Sequence, residues 1–502
     1  VLKVMTEAKA QPQENTNVYR DTRLQKVEDL RAMGVNPYPY NFRKTHDAVE
    51  LQKKYEGLET GQETQDQVSV AGRVMSIRNS GMFIDLLDTS GRIQIFSHKD
   101  NLSEQQQEVI KLLDLGDIIG VTGLIRRTPR GELTINASDV QILCKSLQTL
   151  PEKYHGLHDV EVRYRQRYVD LIMNEETRVT LRNRFQIIQA LRSYLLDHGF
   201  LEVETPMLHV IPGGAAAKPF ITHHNALDME LYLRIAPELF LKRLVVGGLA
   251  ERVFEVNRCF RNEGISTRHN PEFTMIELYQ AFADYHDMMD LTEAIFEHVA
   301  QTVFGTTTFE YEGKEISLKR PWVRKSMTEL VKDHTGVDFL AIHDLAEAQK
   351  AAQGLGVDVS QSNSWGKVVL AVFEEKVENT LVQPTHVIDL PLDISPLAKV
   401  HRDDPRLTER YESFINTWEV ANAFSELTDP VDQRARLEAQ VADREAGDDE
   451  AHLMDEDFIT ALEYGLPPTG GLGIGIDRMA MLMTGSASIR DVIAFPTMRK
   501  KA

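Results

Sequence analysis

The spacing of apolar residues changes character along the chain, and each change predicts a different kind of element. Between Tyr19 and Met33, Leu24, Val27 and Leu30 recur at intervals of three among Arg20, Arg23, Lys26 and Arg31, and Gly34 follows. This predicts an amphipathic helix with a glycine stop. Its charged face reads first as a solvated surface, and an RNA-touching helix is the sharper alternative. From Val68 the period shortens to two. Val68–Val74, Met82–Leu86, Arg92–Phe96, Asp117–Gly123 and Glu132–Ile135 read as short strands, with a helical stretch from Glu104 to Leu113 after the third. Five strands with a helix in that place predict an OB-fold β-barrel over residues 66–147, preceded by a polar tail and helix over 1–65. Residues 1–17 are polar enough to read as disordered. A charged connector, 148–177, leads into a large domain over 178–502. There long helices alternate with strands, and a helical piece at about 328–381 interrupts the pattern.

A barrel of this kind offers aromatics to single-stranded bases. Phe83, Phe96 and Gln94 are the candidates, with Arg73 and Arg78 for phosphates or base edges. For the two phenylalanines a packing role stands at about even odds.

Composition narrows the setting. A chain of 502 residues with 42% hydrophobic content is a multi-domain globular protein. It contains no apolar run long enough for a membrane span, and its acidic N-terminal residues suit neither a secretory nor a transit signal. Two cysteines, Cys144 and Cys259, exclude a disulfide framework and fit a reducing cytoplasm. A net charge of −20 argues against simple nucleic-acid coating, although the barrel region is nearly balanced and could carry a local RNA surface. Adjacent His223 and His224 read as a surface pair sooner than as metal ligands.

Three distant segments carry the chemistry. In the first, Phe185, Ile188, Leu191 and Leu195 keep helical spacing up to Gly199, and Phe200 to Pro206 follows as a strand. In the second, a strand ending at Arg261 is followed by a polar loop, Asn262 to Asn270, and by a strand from Phe273. There Phe273, Met275, Glu277 and Tyr279 share one face, because side chains alternate. A carboxylate on such a face needs a cation when buried. In the third, Gly471-Leu472-Gly473-Ile474-Gly475 strips one strand face of side chains, opening it to a flat ligand, and Arg478 opens the next helix.

These segments resemble motifs one, two and three of the class II aminoacyl-tRNA synthetases. Phe260-Arg261-Asn262-Glu263, Arg268-His269 and Phe273 match motif two, and Gly471 to Arg478 matches motif three. Ile211 to Ala216, Arg234 to Glu238, Arg261 to Tyr279 and Asn422 to Leu427 match the lysine-specific branch. The resemblance implies an α+β architecture: an OB-fold barrel, then a catalytic domain built on an antiparallel sheet flanked by helices, with motif one at a homodimer interface.

It also implies roles. Arg261 and Arg478 would be the catalytic arginines. Arg261 would bridge the amino-acid carboxylate and the α-phosphate of ATP, and Arg478 would lie on the γ-phosphate side. Phe273 would stack on adenine, and Glu263 and His269 would position the nucleotide. Glu412 and Glu419 would hold Mg²⁺. Gly214, Glu238, Glu277, Tyr279, Asn422 and Glu426 would form the lysine pocket, with Glu426 and Tyr279 at the side-chain ammonium and Glu238 favoured for the α-amino group. Partners implied are L-lysine, ATP, tRNA(Lys) and a second copy of the chain, with no membrane. Asn416-Thr417-Trp418 stands where the family commonly has a glycine-containing turn, and Asp477 where many members have glutamate. Two rivals are weaker. A relative that lysylates a translation factor lacks the barrel, and a non-enzymatic RNA-binding protein has no need of Arg261, Glu263, Phe273 and Arg478 together.

Overall fold

The computed structural model describes residues 14–151, 157–447 and 450–500. The tail expected over residues 1–13 lies outside them. Residues 14–17, expected in the same tail, instead open the first helix. The chain divides into two compact units, one up to residue 156 and one from 157 onward.

In the first unit, β1 (Glu63–Arg78), β2 (Phe83–Leu87), β3 (Arg92–Phe96), β4 (Ile118–Arg127) and β5 (Leu133–Cys144) close a barrel in the order β1-β2-β3-β5-β4. Alternation explains the closure: Val68, Val70, Ile84, Ile93, Ile95 and Val121 point inward and are buried. Helices α1 (Glu14–Ala32), α2 (Ala48–Lys54) and α3 (Glu104–Lys111) complete the unit. The separate N-terminal segment expected over 1–65 is corrected here. Leu30, Ala48 and Leu51 pack into the barrel core. On α1, Arg23 is buried and donates to the carbonyls of Ser146, Gln148 and Leu115, while the Lys26 ammonium lies 2.7 Å from Asp114. Two of its basic groups therefore dock the helix, which disfavours the reading of a charged face left free for RNA.

In the second unit, eight strands form one sheet. They are β6 (Leu201–Glu202), β7 (Arg252–Phe260), β8 (Glu272–Ala281), β9 (Val323–Ser326), β10 (Thr385–Ile388), β11 (Arg410–Ile415), β12 (Trp418–Ser425) and β13 (Thr469–Gly475), in the order β9-β10-β11-β12-β13-β8-β7-β6. The expected antiparallel sheet holds for the interior pairs. At the edges β9 pairs parallel to β10, and β6 parallel to β7. A parallel pair needs a long crossover, and the segment joining β9 to β10 supplies one. That crossover is the helical piece expected near 328–381. It comprises α7 (Met327–Thr335), α8 (Leu345–Gly354) and α9 (Trp365–Lys376), around a core of Val331, Phe339, Val368 and Phe373.

From residue 160 onward the charged connector expected over 148–177 is folded. Residues 160–165 and 167–173 are short helices, and buried Arg167 binds Asp170 at 2.6 Å and donates to the Arg490 carbonyl. Helix α4 (Glu175–Asp197) continues from them. Two further helices are α5 (Glu238–Val246) and α6 (Tyr285–Phe304). The C-terminal third adds α10 (Pro430–Glu445), α11 (Glu456–Gly465) and α12 (Ile476–Thr484). Helices α4, α6 and α12 cover one sheet face, where Leu191, Phe296, Ile276, Leu472, Ile474 and Met481 form the main core. The opposite face carries the polar residues.

Candidate active site

That polar face follows from strand register. Glu277 lies opposite Gly473 and Tyr279 opposite Gly471. On the other side of β13, Asn422 faces Gly473 and Phe424 faces Gly471. The glycines leave the middle strand bare while its neighbours project side chains, so a trough forms between them. A Cβ on Gly471 would overlap Glu426 Oε1 and come within 2.7 Å of Tyr279 Cε1. The trough opens into a cavity of about 690 Å³. Its lining includes Gly214, Glu238, Arg261, Glu263, His269, Phe273, Glu277, Tyr279, Glu412, Glu419, Asn422, Glu426 and Arg478. Every residue that the resemblance assigns to lysine, nucleotide or metal lies in this one lining.

One end of the cavity is acidic. Glu238 begins α5 directly after Pro237, where the unpaired amides of a helix start favour an anion. Gly214, at φ 87°, packs its backbone against Glu238: an added Cβ would sit 2.9 Å from Glu238 Cβ. The resemblance places Gly214 in the lysine pocket; its close approach in the structure is to Glu238. The Tyr279 hydroxyl donates to Glu277 Oε2 at 3.3 Å. Burial, then the charge of Glu238, pushes the Glu277 carboxyl well above its ordinary range. Burial likewise raises Glu426 to about 8, against the opposing charge of Lys242. Both Glu426 carboxylate oxygens are buried and accept no hydrogen bond.

The other end carries the guanidinium groups. Arg261 follows β7, and its guanidinium carbon lies 5.1 Å from the centre of the Phe273 ring. Its Nε is buried without a partner. Arg478, in the first turn of α12, donates to the Glu419 carbonyl at 2.5 Å, and its Nη2 lies 3.3 Å from His269 Nε2. Burial and then the Arg478 charge lower the His269 pKa, favouring the neutral ring, whose Nδ1 pairs with the Ser266 hydroxyl at 2.8 Å. Asp477 binds buried Arg184 and accepts the Thr274 amide at 2.7 Å, so it ties α12 to β8 rather than facing the ligand. Between β11 and β12, Asn416 and Thr417 adopt φ of 52° and 65°. These are values of a tight hairpin turn, so the chain makes the turn without glycine. Beside it, burial raises Glu412 to about 7, with Arg410 opposing and the charge of Glu419 assisting.

Two residues of this wall, Arg410 and His452, and one buried behind it, Lys242, were not singled out in the sequence. Arg410 donates to Asn422 Oδ1 at 3.0 Å and to Glu412 Oε1 at 2.6 Å, fixing two predicted site residues at once. Its position two residues before Glu412 on a strand was the available signal. Lys242 is fully buried beside Glu238 and Glu426, and the i,i+4 spacing from Glu238 was legible. His452 lines the cavity, and burial lowers its pKa to about 4; nothing in its sequence context marks it.

On the barrel, Phe83 and Phe96 face outward from paired positions with ring centres 5.2 Å apart, and Arg126 lies over the Phe96 ring at 4.9 Å. Gln94 shares that face and accepts from the Thr134 hydroxyl, and Arg78 pairs with Asp85 at 2.7 Å. Arg73 is a correction. It lies at the far end of the β1–β2 pairing from Phe83 and donates to the Gly116 carbonyl, so the structure does not gather it with the aromatic pair. His223 and His224 are exposed; His223 pairs with Asn225 and Asp228.

A glycine-cleared antiparallel sheet with a motif-two arginine, a motif-three arginine and a separate OB barrel defines a class of enzyme, and sequence comparison agrees. The family of class II tRNA synthetases for D, K and N matches residues 159–499, and the OB-fold nucleic acid binding domain matches residues 68–143. The chain belongs to the class II tRNA synthetases and, within them, to the lysine–tRNA ligases. The lysine–tRNA ligase of Rhizobium meliloti (strain 1021) is 55% identical over 482 residues, covering 96% of this chain and 97% of that one. That of Carboxydothermus hydrogenoformans is 56% identical over 481 residues, 95% and 97% of the two chains. That of Oceanobacillus iheyensis is 55% identical over 492 residues, 97% and 100%.

Proposed function

We propose that the chain activates L-lysine with ATP to form lysyl-adenylate and transfers the lysyl group to the 3′ end of tRNA(Lys). The observation that carries this reading is the shared cavity: three carboxylates at one end, two guanidinium groups toward the other, and an aromatic ring between.

The first step forms a bond between a lysine carboxylate oxygen and the α-phosphorus as pyrophosphate leaves. The second transfers the lysyl group to a terminal tRNA hydroxyl and releases AMP. Neither step needs an enzyme nucleophile, so catalysis rests on positioning and charge stabilisation. Arg261 is suited to span the carboxylate and α-phosphate, because its planar fork is permanently charged and its Nε awaits a partner. Phe273 offers a stacking face for adenine. Arg478, Glu263 and His269 hold the remainder of the nucleotide. Glu238 and Glu277 receive the α-amino group, Asn422 steadies the substrate, and Glu426 with Tyr279 receives the side-chain ammonium.

Mg²⁺ fits the nucleotide end. Glu412 and Glu419 line it together, and burial raises the Glu412 carboxyl with the nearby charge of Glu419 adding to it, so a dication there would favour both carboxylates. Two carboxylates are too few for its octahedral shell, so phosphate and water oxygens would complete it. When bound, the ion neutralises phosphate charge.

On the barrel, Phe83, Phe96 and Gln94 with Arg78 present a surface suited to anticodon bases. Exposed Val179, Phe185 and Leu196 on α4 give the apolar surface that a homodimer would cover. A cytoplasmic setting fits the unpaired Cys144 and Cys259; among the described residues no helix is long and apolar enough to cross a membrane.

Lysine-dependent ATP–pyrophosphate exchange tests the reading directly. The protein should exchange with lysine and with no other standard amino acid at comparable concentration, and Arg261→Ala should lose at least 100-fold of that rate. Exchange with a different amino acid, or near-normal exchange in Arg261→Ala, would remove the assignment.

A further inference from the structure

An ammonium group is buried behind the acidic end of the cavity, against two of its carboxylates. Lys242, one turn along α5 from Glu238, has a fully buried side chain. Its Nζ lies 2.5 Å from Glu238 Oε1 and donates a hydrogen bond to it. The same Nζ lies 2.5 Å from Glu426 Oε2, but off the angle of a hydrogen bond, and both Glu426 oxygens remain without a hydrogen-bond partner. The rings of Phe424, Phe458 and Tyr279 surround it at 5.5, 5.7 and 6.0 Å. So Lys242 gives Glu426, a residue of the cavity lining, a neighbouring positive charge. Glu238 receives both the charge and the bond.

We propose that Lys242 is a positioning residue for amino-acid recognition, a resident ammonium wedged between Glu238 and Glu426 that holds both carboxylates in place for the two ammonium groups of the substrate. The inference rests on the lysine reading of the cavity. Its physical basis is repulsion: two buried carboxylates facing one pocket cannot both stay ionised and close without a cation between them. Burial by itself would lower the Lys242 pKa, and the charges of Glu238 and Glu426 outweigh it, so the group stays an ammonium. Of the other titratable groups at this end, Tyr279 on β8 feels the charge of Glu426, Glu277 on β8 that of Glu238, and His452, on the segment before α11, that of Lys242. None of these supplies a comparable cation.

The test compares Lys242→Met, Lys242→Gln and Lys242→Arg with the wild type in pyrophosphate exchange. Lys242→Met keeps the volume without the charge. Lys242→Gln keeps a donor for Glu238 without the charge. Both should raise the lysine KM at least tenfold while the ATP KM stays within about twofold, and should move the pH below which lysine binding weakens upward by one unit or more. Lys242→Arg, which keeps the cation, should recover part of the lysine KM and return the pH break toward the wild-type position. A lysine KM within twofold of wild type in a folded Met or Gln variant, an equal rise in both KM values, or an unmoved pH break overturns the proposal. So does failure of both charge-lacking variants to fold, which would make Lys242 a structural cation. Absence of lysine-dependent exchange in the wild type would instead overturn the lysine reading, and the two failures are thereby told apart.

Discussion

At the scale of single residues, the cavity is a problem in placing charge where water is excluded. Glu426 shows this best. Burial raises its carboxyl to about 8 against the opposing charge of Lys242. The ionised form is the one that would pair with a lysine ammonium, so on the proposed reading protonation of Glu426 competes with lysine binding. The sign follows: as pH falls below about 8 the lysine KM should rise, approaching tenfold per unit, while the side-chain ammonium of free lysine stays charged up to about pH 10. Glu426→Gln should flatten that dependence. It should also raise the lysine KM on the order of 100-fold, as expected for loss of one partner in a buried charge pair worth about 3 kcal/mol, with little change for ATP. Steady-state exchange across pH 6.5–9 measures both; equal effects on lysine and ATP would take Glu426 out of the pocket. The sequence made Glu426 visible through the match of Asn422 to Leu427 to the lysine-specific branch. It could not make Lys242 visible as its counterion, because a helical position says where a side chain leaves the backbone and not which carboxylate from a distant strand meets it.

At the scale of elements, the site depends on one strand having almost no side chains on one face. Alternating glycines in β13 were legible, and so was the shared face of Phe273, Glu277 and Tyr279. What could not be read was that Asn422 and Phe424 would flank the same glycines from the opposite side, since strand order is a long-range property. The same limit hid the parallel edges of the sheet, the docking of α1 on the barrel, and the clamp that Arg410 forms between Asn422 and Glu412. The turn at Asn416-Thr417 is the converse. The residues looked wrong for it, yet both adopt positive φ, with their amides donating to the carbonyls of Val382 and Leu381 at 2.9 and 2.8 Å. A direct test of the bare strand is Gly471→Ala. The added methyl must displace Glu426 or Tyr279, or shift the strand, and overpacking of this kind costs about 1–3 kcal/mol. The lysine KM should rise on the order of tenfold with the ATP KM within about twofold, read by the same exchange assay. An unchanged lysine KM would mean that the glycine serves packing alone.

At the scale of the whole molecule, two compact units divide the labour, and the barrel surface is where that division can be measured. The protein carries a net charge of −20, so long-range attraction does not draw RNA to it indiscriminately, and recognition must come from local contacts. On the proposed reading the barrel supplies them at Phe83 and Phe96, whose rings face outward with Arg126 beside them. Stacking of a base on such a ring is worth about 1–3 kcal/mol. Phe83→Ala should therefore raise the KM for tRNA(Lys) roughly 10- to 100-fold in aminoacylation. Lysine-dependent pyrophosphate exchange should stay within about twofold of wild type, because every residue assigned to activation lies in the other unit. Phe83 is half-buried against Phe96, so the substitution also removes a ring contact worth about 1 kcal/mol, and thermal melting of the barrel should report that loss separately. If charging falls only in proportion to the fraction melted, Phe83 is a packing residue. If charging falls at temperatures where the barrel is intact and exchange is unaffected, its exposed face reads the tRNA.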